Sequence, residues 1–568
     1  MKTKLFKTIL TTTLVIAFLA ACGTGGGATT PAPAPAPPAD NGAAAEPAAD
    51  NGGTTAEPTA DNADFSYPMD FSGTITYWKP MAVNWSTYLT NFGESAFSRA
   101  LIEATGIDIE WIHPPQGQHM ESFSIMVASG NFPDVIEWRW HLDFPGGPAG
   151  ALADRLIIPL NDATAQWAPN YRAMLEREPH LYRQVVTDDG QHFAFPFLRN
   201  DEILKTTTGP IVRMDWLDEL GLDIPETLDD WEHMLRLFRD EMGASIGFTG
   251  VAASGDPNGL YFTFLPAFGV RAEFFVEGTE IIYGITHDNF RSFLELMARW
   301  YSEELIDRNI ISTTRPEMDA AILSGDSGAV VGPGGGAFGP WLLAAWENEP
   351  GTSYDLTATR FPTINRNELV RHGGTSPDLG TGSQGHAAIS SSATEIEAIT
   401  RLLDFGYSEE GHMLYNFGVY GVSWEWVNGE PTLTDMVTSN PEGRTFAQAL
   451  SYFARAAING PFDQDPRYLL QFYALDQQKA ALDFWTMQNN SDQTILPPIT
   501  LTQAEAQTVS ARMADIDTYR REWIARFITG ADPITDDTWG NFVDTLYGMG
   551  LEEVTAIHQA ALDRYNSR

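Results

Sequence analysis

The chain has 568 residues, and its 34 basic side chains face 75 acidic ones for a net charge of −41. That imbalance excludes a broad nucleic-acid surface, because a phosphate backbone is held by Lys and Arg. The lone cysteine, Cys22, excludes an internal disulfide and any thiolate-based zinc or iron–sulfur site, and the eleven histidines form no His-Glu-x-x-His. With 43% hydrophobic and 19% charged residues the composition is that of a folded protein.

Residues 1–21 read as an export signal. Lys2, Lys4 and Lys7 make a basic start, and the apolar run Ile9–Ala21 is shorter than the roughly 20 residues needed to cross a bilayer core. The run ends Leu19-Ala20-Ala21-Cys22, which resembles the lipobox of bacterial lipoproteins. The resemblance implies that Cys22 is lipidated and becomes the mature N-terminus; an ordinary cleaved signal with a chance cysteine is the other reading. Residues 22–64 follow as a Gly-, Pro- and Ala-rich tether without an aromatic or large aliphatic side chain, so nothing there offsets the entropy of ordering. Pro-Ala alternation from Pro31 to Pro38 favours extended polyproline II.

The body then alternates strand and helix signals. Thr74–Trp78 reads as a strand, a helix follows from Ser95 to Thr105 with Gly106 as its stop, and Ile107–Ile112 is a second strand. A helix over 123–128 ends at Gly130, and Asp134–Trp138 is a third strand. This order predicts an α/β fold with right-handed crossovers and a mostly parallel sheet, whose ligands sit beyond the carboxyl ends of the strands. Trp78, Trp138, Arg139 and Trp140 fall at those ends. Further on, Thr227 caps a helix with Trp231, Met234, Leu235 and Phe238 as its buried stripe. Phe290, Phe293, Leu294, Met297 and Tyr301 form another stripe, and 325–331 reads as a turn and strand before the glycine run 332–336. A final helix spans 551–565.

Several stretches in this order resemble a known family. They are Thr105-Gly106-Ile107, the run Ala128-Ser129-Gly130-Asn131-Phe132-Pro133-Asp134-Val135-Ile136, the segment from Arg213 to Leu222 with Pro225-Glu226-Thr227-Leu228, Glu304-Leu305-Ile306-Asp307, Tyr407-Ser408-Glu409-Glu410-Gly411, and Asn416-Phe417-Gly418-Val419-Tyr420-Gly421-Val422. Together they are similar to the extracellular solute-binding proteins of ABC importers, in the large lipoprotein branch of the maltose-binding-like family that includes alginate-oligosaccharide binders. The resemblance implies a two-lobed periplasmic-binding-protein type II fold, with a hinge and a ligand cleft between the lobes. It further implies a first lobe over 65–205, a second over 206–380, a return to the first over 381–445 and a C-terminal helical part of the second over 446–568. Many relatives carry an EF-hand-like calcium loop after the helix that starts at Leu228. Here Asp240-Glu241-Met242-Gly243-Ala244-Ser245 offers too few side-chain oxygens for calcium, so no metal or other cofactor is expected.

The function so implied is capture of an extracellular solute, most simply an oligosaccharide, by closure of two lobes and its delivery to a permease. The protein would be a monomer anchored outside the cytoplasm by its lipid. Sixteen tryptophans offer flat apolar faces for sugar rings. The candidates are Trp78, Trp138 and Trp140 from one lobe, Phe338 and Trp341 from the other, and Tyr420 and Trp424 after the Gly418 motif. Gly339-Pro340-Trp341 resembles the Gly-Pro-Trp of maltose-binding proteins, although Gly332-Pro333 offers a second register. Arg139 and Arg213 could hold an anionic ligand by bidentate bonds, or could serve as structural ion pairs. Trp111, Trp216 and Trp231 read as core. The glycine run 332–336 leaves backbone N–H groups free to approach a ligand but lacks the βαβ surroundings of a dinucleotide fingerprint, there is no Walker lysine, and Ser383 lacks the first glycine of a hydrolase elbow. Two other functions remain open on the residues alone: a membrane-anchored carbohydrate-active enzyme, since 75 carboxylates supply acid–base pairs by chance, and a surface glycan sensor or adhesin without a permease.

Overall fold

The computed structural model describes residues 65–370, 379, 385–456, 459–486 and 494–568; Cys22, the tether and Ser383 lie outside the described residues. Met1–Phe65 and Ser66–Arg568 are separate units, and the fold is that of the second. In it the chain lays down β1 (Thr74–Trp78), β2 (Asp108–Ile112), β3 (Val135–Trp138), the short β4 (Phe197–Leu198) and β5 (Thr208–Arg213). The hairpin β6 (Phe274–Glu277) and β7 (Glu280–Tyr283) precedes β8 (Ala329–Pro333) and β9 (Leu356–Ala358). Then come β10 (His386–Ile389), a second hairpin of β11 (Trp424–Val427) and β12 (Glu430–Leu433), and β13 (Phe462–Asp463).

Two sheets organise two cores. The first runs β10-β3-β1-β2, with β1 parallel to both neighbours and β10 antiparallel to β3. Its helix Ala96–Thr105 begins where Ser95 accepts a bond from the Ser98 amide, and ends at Gly106 with φ 72°, a left-handed position that glycine adopts without strain. The predicted helix near 123 starts earlier than its buried residues indicate, spanning His119–Ser129, because its first turn, His119 to Ser122, lies outside the core. The second sheet runs β8-β5-β9 and is antiparallel throughout. A capping box at Thr227 and Asp230 starts the helix Leu228–Asp240, which buries Trp231, Met234, Leu235 and Phe238. The helix Asp288–Ser302 buries Trp300 where Tyr301 was expected, since the indole can also donate to Glu232 (2.7 Å). Ile516, Ile524 and Phe527 of the long helix Gln503–Thr529 complete this core.

Among the described residues the chain changes core three times, and the described parts of these passages lie side by side. Leu198 belongs to the first core and Ile211 to the second. Val370 belongs to the second and Leu379 to the first, and Phe462 to the first while Ala481 lies in the second. β13 pairs in parallel with β4, and Leu198 bridges Leu379, so three connecting segments share backbone hydrogen bonds. The molecule is therefore two lobes on a common seam. A further contact links them elsewhere: Arg564, at the end of the helix Leu551–Asn566, pairs with Asp188 at 2.6 Å.

Candidate functional site

At the carboxyl ends of β1 and β3, aromatic rings and charges share one corner of the first lobe. Trp138 stacks on Phe123 (centroids 4.4 Å, interplanar 15°), and Trp78 meets Trp138 edge-on at 5.4 Å. The Trp138 indole Nε1 is sealed from solvent and has no acceptor among the described residues. Alternation along β3 turns its neighbour Glu137 to the other face, where the carboxylate takes bonds from Tyr77 Oη (2.7 Å), Lys79 Nζ (3.0 Å) and Arg455 Nη2 (2.7 Å). All three charged side chains are fully enclosed. Burial opposes ionisation of Glu137, but Arg455 and then Lys79 outweigh it and hold the carboxyl below its ordinary range. Burial, and then Arg455, push Lys79 down. Two cations thus share one anion, and Nε and Nη1 of Arg455 have no partner among the described residues.

A second cluster sits on the seam. The parallel register of β4 and β13 places Gln464 beside Arg199, and the Gln464 amide donates to the Leu198 carbonyl (3.0 Å). Gln464 Nε2 donates to Tyr468 Oη (2.9 Å) and to the Ala456 carbonyl, while its Oε1 is buried and accepts from no donor among the described residues. Arg199 lies over the Phe197 ring at 5.4 Å, near the phenols of Tyr468 and Tyr473. Its Nε is sealed and has no acceptor among the described residues, and burial lowers its pKa. Asn200, one residue on, turns the other way and donates to Asp463 Oδ1 (3.0 Å), and its own Oδ1 has no donor among the described residues. Burial raises Asp463 to about 6. From the second lobe the glycine turn after β8 closes on the same seam: the Gly334 amide donates to the Thr207 carbonyl (3.0 Å), and a Cβ on Gly334 would lie 2.5 Å from Tyr473 Oη. Buried donors and acceptors left unpaired are costly, and a ligand rich in hydroxyls can satisfy both kinds.

The residues singled out in the sequence fall into three groups. Trp78 and Trp138 lie together at the strand ends, and both rings are buried in this conformation. Trp140 is wholly enclosed and donates to the His386 carbonyl (3.0 Å); Phe338 is wholly enclosed in the second core, and Trp341 packs against Gly332 and donates to Asp319 (2.8 Å). In this conformation these rings have no open face for a ligand. Trp424 is buried and donates to the Gly418 carbonyl (2.9 Å), whereas Tyr420 is 63% exposed and meets Trp424 edge-on. Both arginines are already engaged: Arg139 by Asp143 four residues on (2.6 and 2.8 Å), Arg213 by Asp215 two residues on, beneath the rings of Trp216 and Tyr354. The glycine run serves packing: Gly332, Gly334 and Gly335 make room for the rings of Trp341, Tyr473 and Phe472, and the Gly334 amide is taken by the Thr207 carbonyl. Trp111, Trp216 and Trp231 are core residues, as read. Arg199 and Gln464 were not read as site residues. Only the pairing of β4 with β13, more than 260 residues apart, brings them together.

A separate cavity of about 580 Å³ opens among the helices Asn161–Trp167, Pro169–Arg177 and Pro179–Val185, with Arg172, Tyr182, His192 and Arg568 in its walls. It includes none of the seam residues. No group of three or more His, Cys, Asp or Glu arranged to hold a metal occurs among the described residues.

Two α/β lobes joined by three adjacent segments, with unsatisfied polar groups on the seam, define the architecture of the two-lobed solute-binding proteins. The chain belongs to the family described as bacterial extracellular solute-binding protein, which it matches over residues 90–413. It is similar to the fructooligosaccharide ABC transporter substrate-binding protein FusA of Streptococcus pneumoniae serotype 4, at 22% identity over 84% of this chain and 88% of that protein. It is also similar to the lipoprotein LipO of Bacillus subtilis, at 23% identity over 58% of this chain and 64% of that one. Among solved structures, the alginate-binding protein AlgQ2 superposes with a TM-score of 0.67 at 20% identity, covering 86% of this chain and 97% of its own.

Proposed function

We propose that this protein is the substrate-binding lipoprotein of an ABC importer, which captures an oligosaccharide between its lobes and delivers it unaltered to a membrane permease. The observation that carries the reading is the pair of unsatisfied polar clusters, Trp138 at the strand ends and Arg199 with Gln464 on the seam between the lobes. A ligand can favour closure only through contacts that differ between the open and closed states, and groups on a seam are where such differences arise. The names of FusA and AlgQ2, both carbohydrate binders by description, support an oligosaccharide as cargo.

The set assigned to the solute is Trp78, Trp138, Arg199, Gln464 and Tyr468, of which all but Arg199 are buried in this conformation, with Arg139 and Tyr420 nearer the surface. Trp140, Arg213, Phe338, Trp341 and Trp424 hold the walls. The third passage between lobes runs from Asp463 to about residue 475, later than the 445/446 boundary read from the sequence, because the helix Phe446–Phe453 packs on Ala96–Thr105 of the first lobe. Cys22 carries the lipid that keeps the protein at the outer face of the cell membrane, as the description of LipO supports. Among the described residues no helix is long and apolar enough to cross a membrane. Cys22→Ala is expected to release the protein from the membrane fraction.

The test is a panel of oligosaccharides read by thermal shift and by solution scattering. At least one member should raise the Tm and reduce the radius of gyration, with the sugar recovered intact. Turnover of the sugar would favour the enzyme, and no response across the panel would remove the oligosaccharide reading.

A further inference from the structure

We propose that Asp188 of the first lobe, with Arg564 and Arg568 from the second, forms a latch off the seam that holds the lobes in the arrangement of this structure and thereby strengthens the grip on the cargo. The proposal rests on the capture reading above and concerns how that capture is regulated.

Two helices anchored in the second lobe carry the latch. Gln503–Thr529 and Leu551–Asn566 bury Ile516, Ile524, Phe527 and Leu551 in its core. The segment before the first of them packs Leu496 and Ile499 against Val276 and Ile281 of the hairpin β6–β7. The start of one helix and the end of the other then reach the first lobe. Gln503 Nε2 donates to Asp154 (3.4 Å), and a Cβ on Gly146 would lie 3.5 Å from Gln503 Cα. Asp188, on the turn that follows the helix Pro179–Val185, accepts from Arg564 Nε (2.6 Å), Arg568 Nη2 (2.5 Å) and Thr500 Oγ1 (2.9 Å). Arg568 Nη1 also donates to the carbonyls of Arg183 and Val186, both at 2.7 Å. In each of these hydrogen bonds the acceptor belongs to the first lobe and the donor to the second.

The second lobe sets its donor in advance. Glu505, in the capping box that starts Gln503–Thr529, accepts from Arg564 Nη2 (2.7 Å), and the Thr500 carbonyl takes a further bond from the same nitrogen (3.1 Å). Arg564 therefore meets Asp188 with its direction already fixed, which makes the charge-assisted bond specific as well as strong. The Arg568 side chain is 2% exposed and that of Asp188 23%, so solvent screens the cluster less than it screens an ordinary surface pair. Asp256 also gathers two arginines, Arg520 and Arg521, but within one lobe. At Asp188 the same chemistry spans both.

Position gives this pairing its consequence. The lobes turn about the seam, where β4 and β13 are joined by backbone bonds, and contacts away from that line part as the lobes swing open. A network there adds to the closed population without touching the cargo, and apparent affinity follows the closing equilibrium.

Solution scattering on the full-length, cargo-free protein compares wild type with Asp188→Asn, Arg564→Gln and the double variant. Calorimetry then follows all four with the panel oligosaccharide that gives the largest Tm shift. Each single variant should show a larger radius of gyration than wild type and bind that sugar roughly 10-fold more weakly. The double variant should lose little more than either single one, because the two residues act as one unit. Equal radii in wild type and variants overturn the latch, even if Tm falls, since lower stability alone is what a purely structural pair would give. Larger radii with unchanged affinity overturn its coupling to the cargo. If no sugar in the panel binds, the capture reading falls and the radii still decide the latch. Should Asp188→Asn fail to fold, Arg564→Gln carries the same comparison.

Discussion

β3 and β8 end in comparable places, one in each lobe, and each feeds directly into a short helical turn, Trp140–Asp143 after β3 and Gly334–Phe338 after β8. They are held by opposite means. The end of β3 is pinned by a buried carboxylate between two cations, groups that are tolerated only because each satisfies another. The end of β8 is pinned by missing side chains: glycines let the rings of Trp341, Tyr473 and Phe472 approach the backbone. The first arrangement fails when a charge is removed, the second when an atom is added.

Removing the shared anion tests that contrast most severely. Glu137→Ala leaves Lys79 and Arg455 buried without a counter-ion, and chemical denaturation should show a loss of about 3–5 kcal/mol. A loss below 1 kcal/mol would mean that solvent reaches the cluster. Acid should strike the first lobe next. Burial holds His386 at about 4, with its Nδ1 accepting from the Phe197 amide (3.3 Å). The unfolded chain takes up that proton near 6.5, so the contribution of His386 is intact above pH 6.5 and is lost as pH falls toward 4, by roughly 3 kcal/mol. Burial lowers His141 to about 3 and His192 to about 4, which adds to the effect. Asp404 and Asp463, both raised by burial to about 6, oppose it between pH 6 and 3.8. Unfolding of His386→Gln from pH 7 to pH 4 should show a shallower decline than wild type, and parallel curves would contradict the assignment.

On the other lobe, Gly334→Ala should cost about 1–3 kcal/mol, because its Cβ would meet the Tyr473 hydroxyl. Gly336→Ala, whose Cβ has nothing nearer than Pro333 Cγ at 3.5 Å, should stay within about 0.5 kcal/mol. Equal effects would show that the rings, rather than the backbone, give way. Smaller still is Trp138→Phe, which keeps the stack on Phe123 and removes Nε1–H. Stability should change by less than about 1.5 kcal/mol, and affinity for the sugar should fall several-fold in calorimetry. Arg139→Gln, at a partly exposed pair, should cost under about 1 kcal/mol.

Much of the fold was legible because its signals are local. β-branched and aromatic residues marked β1, period-two alternation marked β2, and Thr227 after Pro225-Glu226 marked the cap of the helix with the Trp231 stripe. The engagement of Arg139 was also legible, since Asp143 lies one helical turn away. The glycine run was misread for a physical reason: a missing side chain leaves room, and sequence does not say whether a ligand or a tryptophan fills it. Burial of Trp140 and Phe338 likewise depends on neighbours from distant segments, such as His386 against Trp140.

By itself, then, the amino-acid order determined which segments are strands and helices, that the body is α/β, and that its charge suits no polyanion, because periodicity, caps and net charge are sums over near neighbours. Only the tertiary structure decided which polar groups are left unpaired. Pairing β4 with β13 sets Arg199 beside Gln464 and turns Asp463 away, and no property of either strand alone contains that outcome.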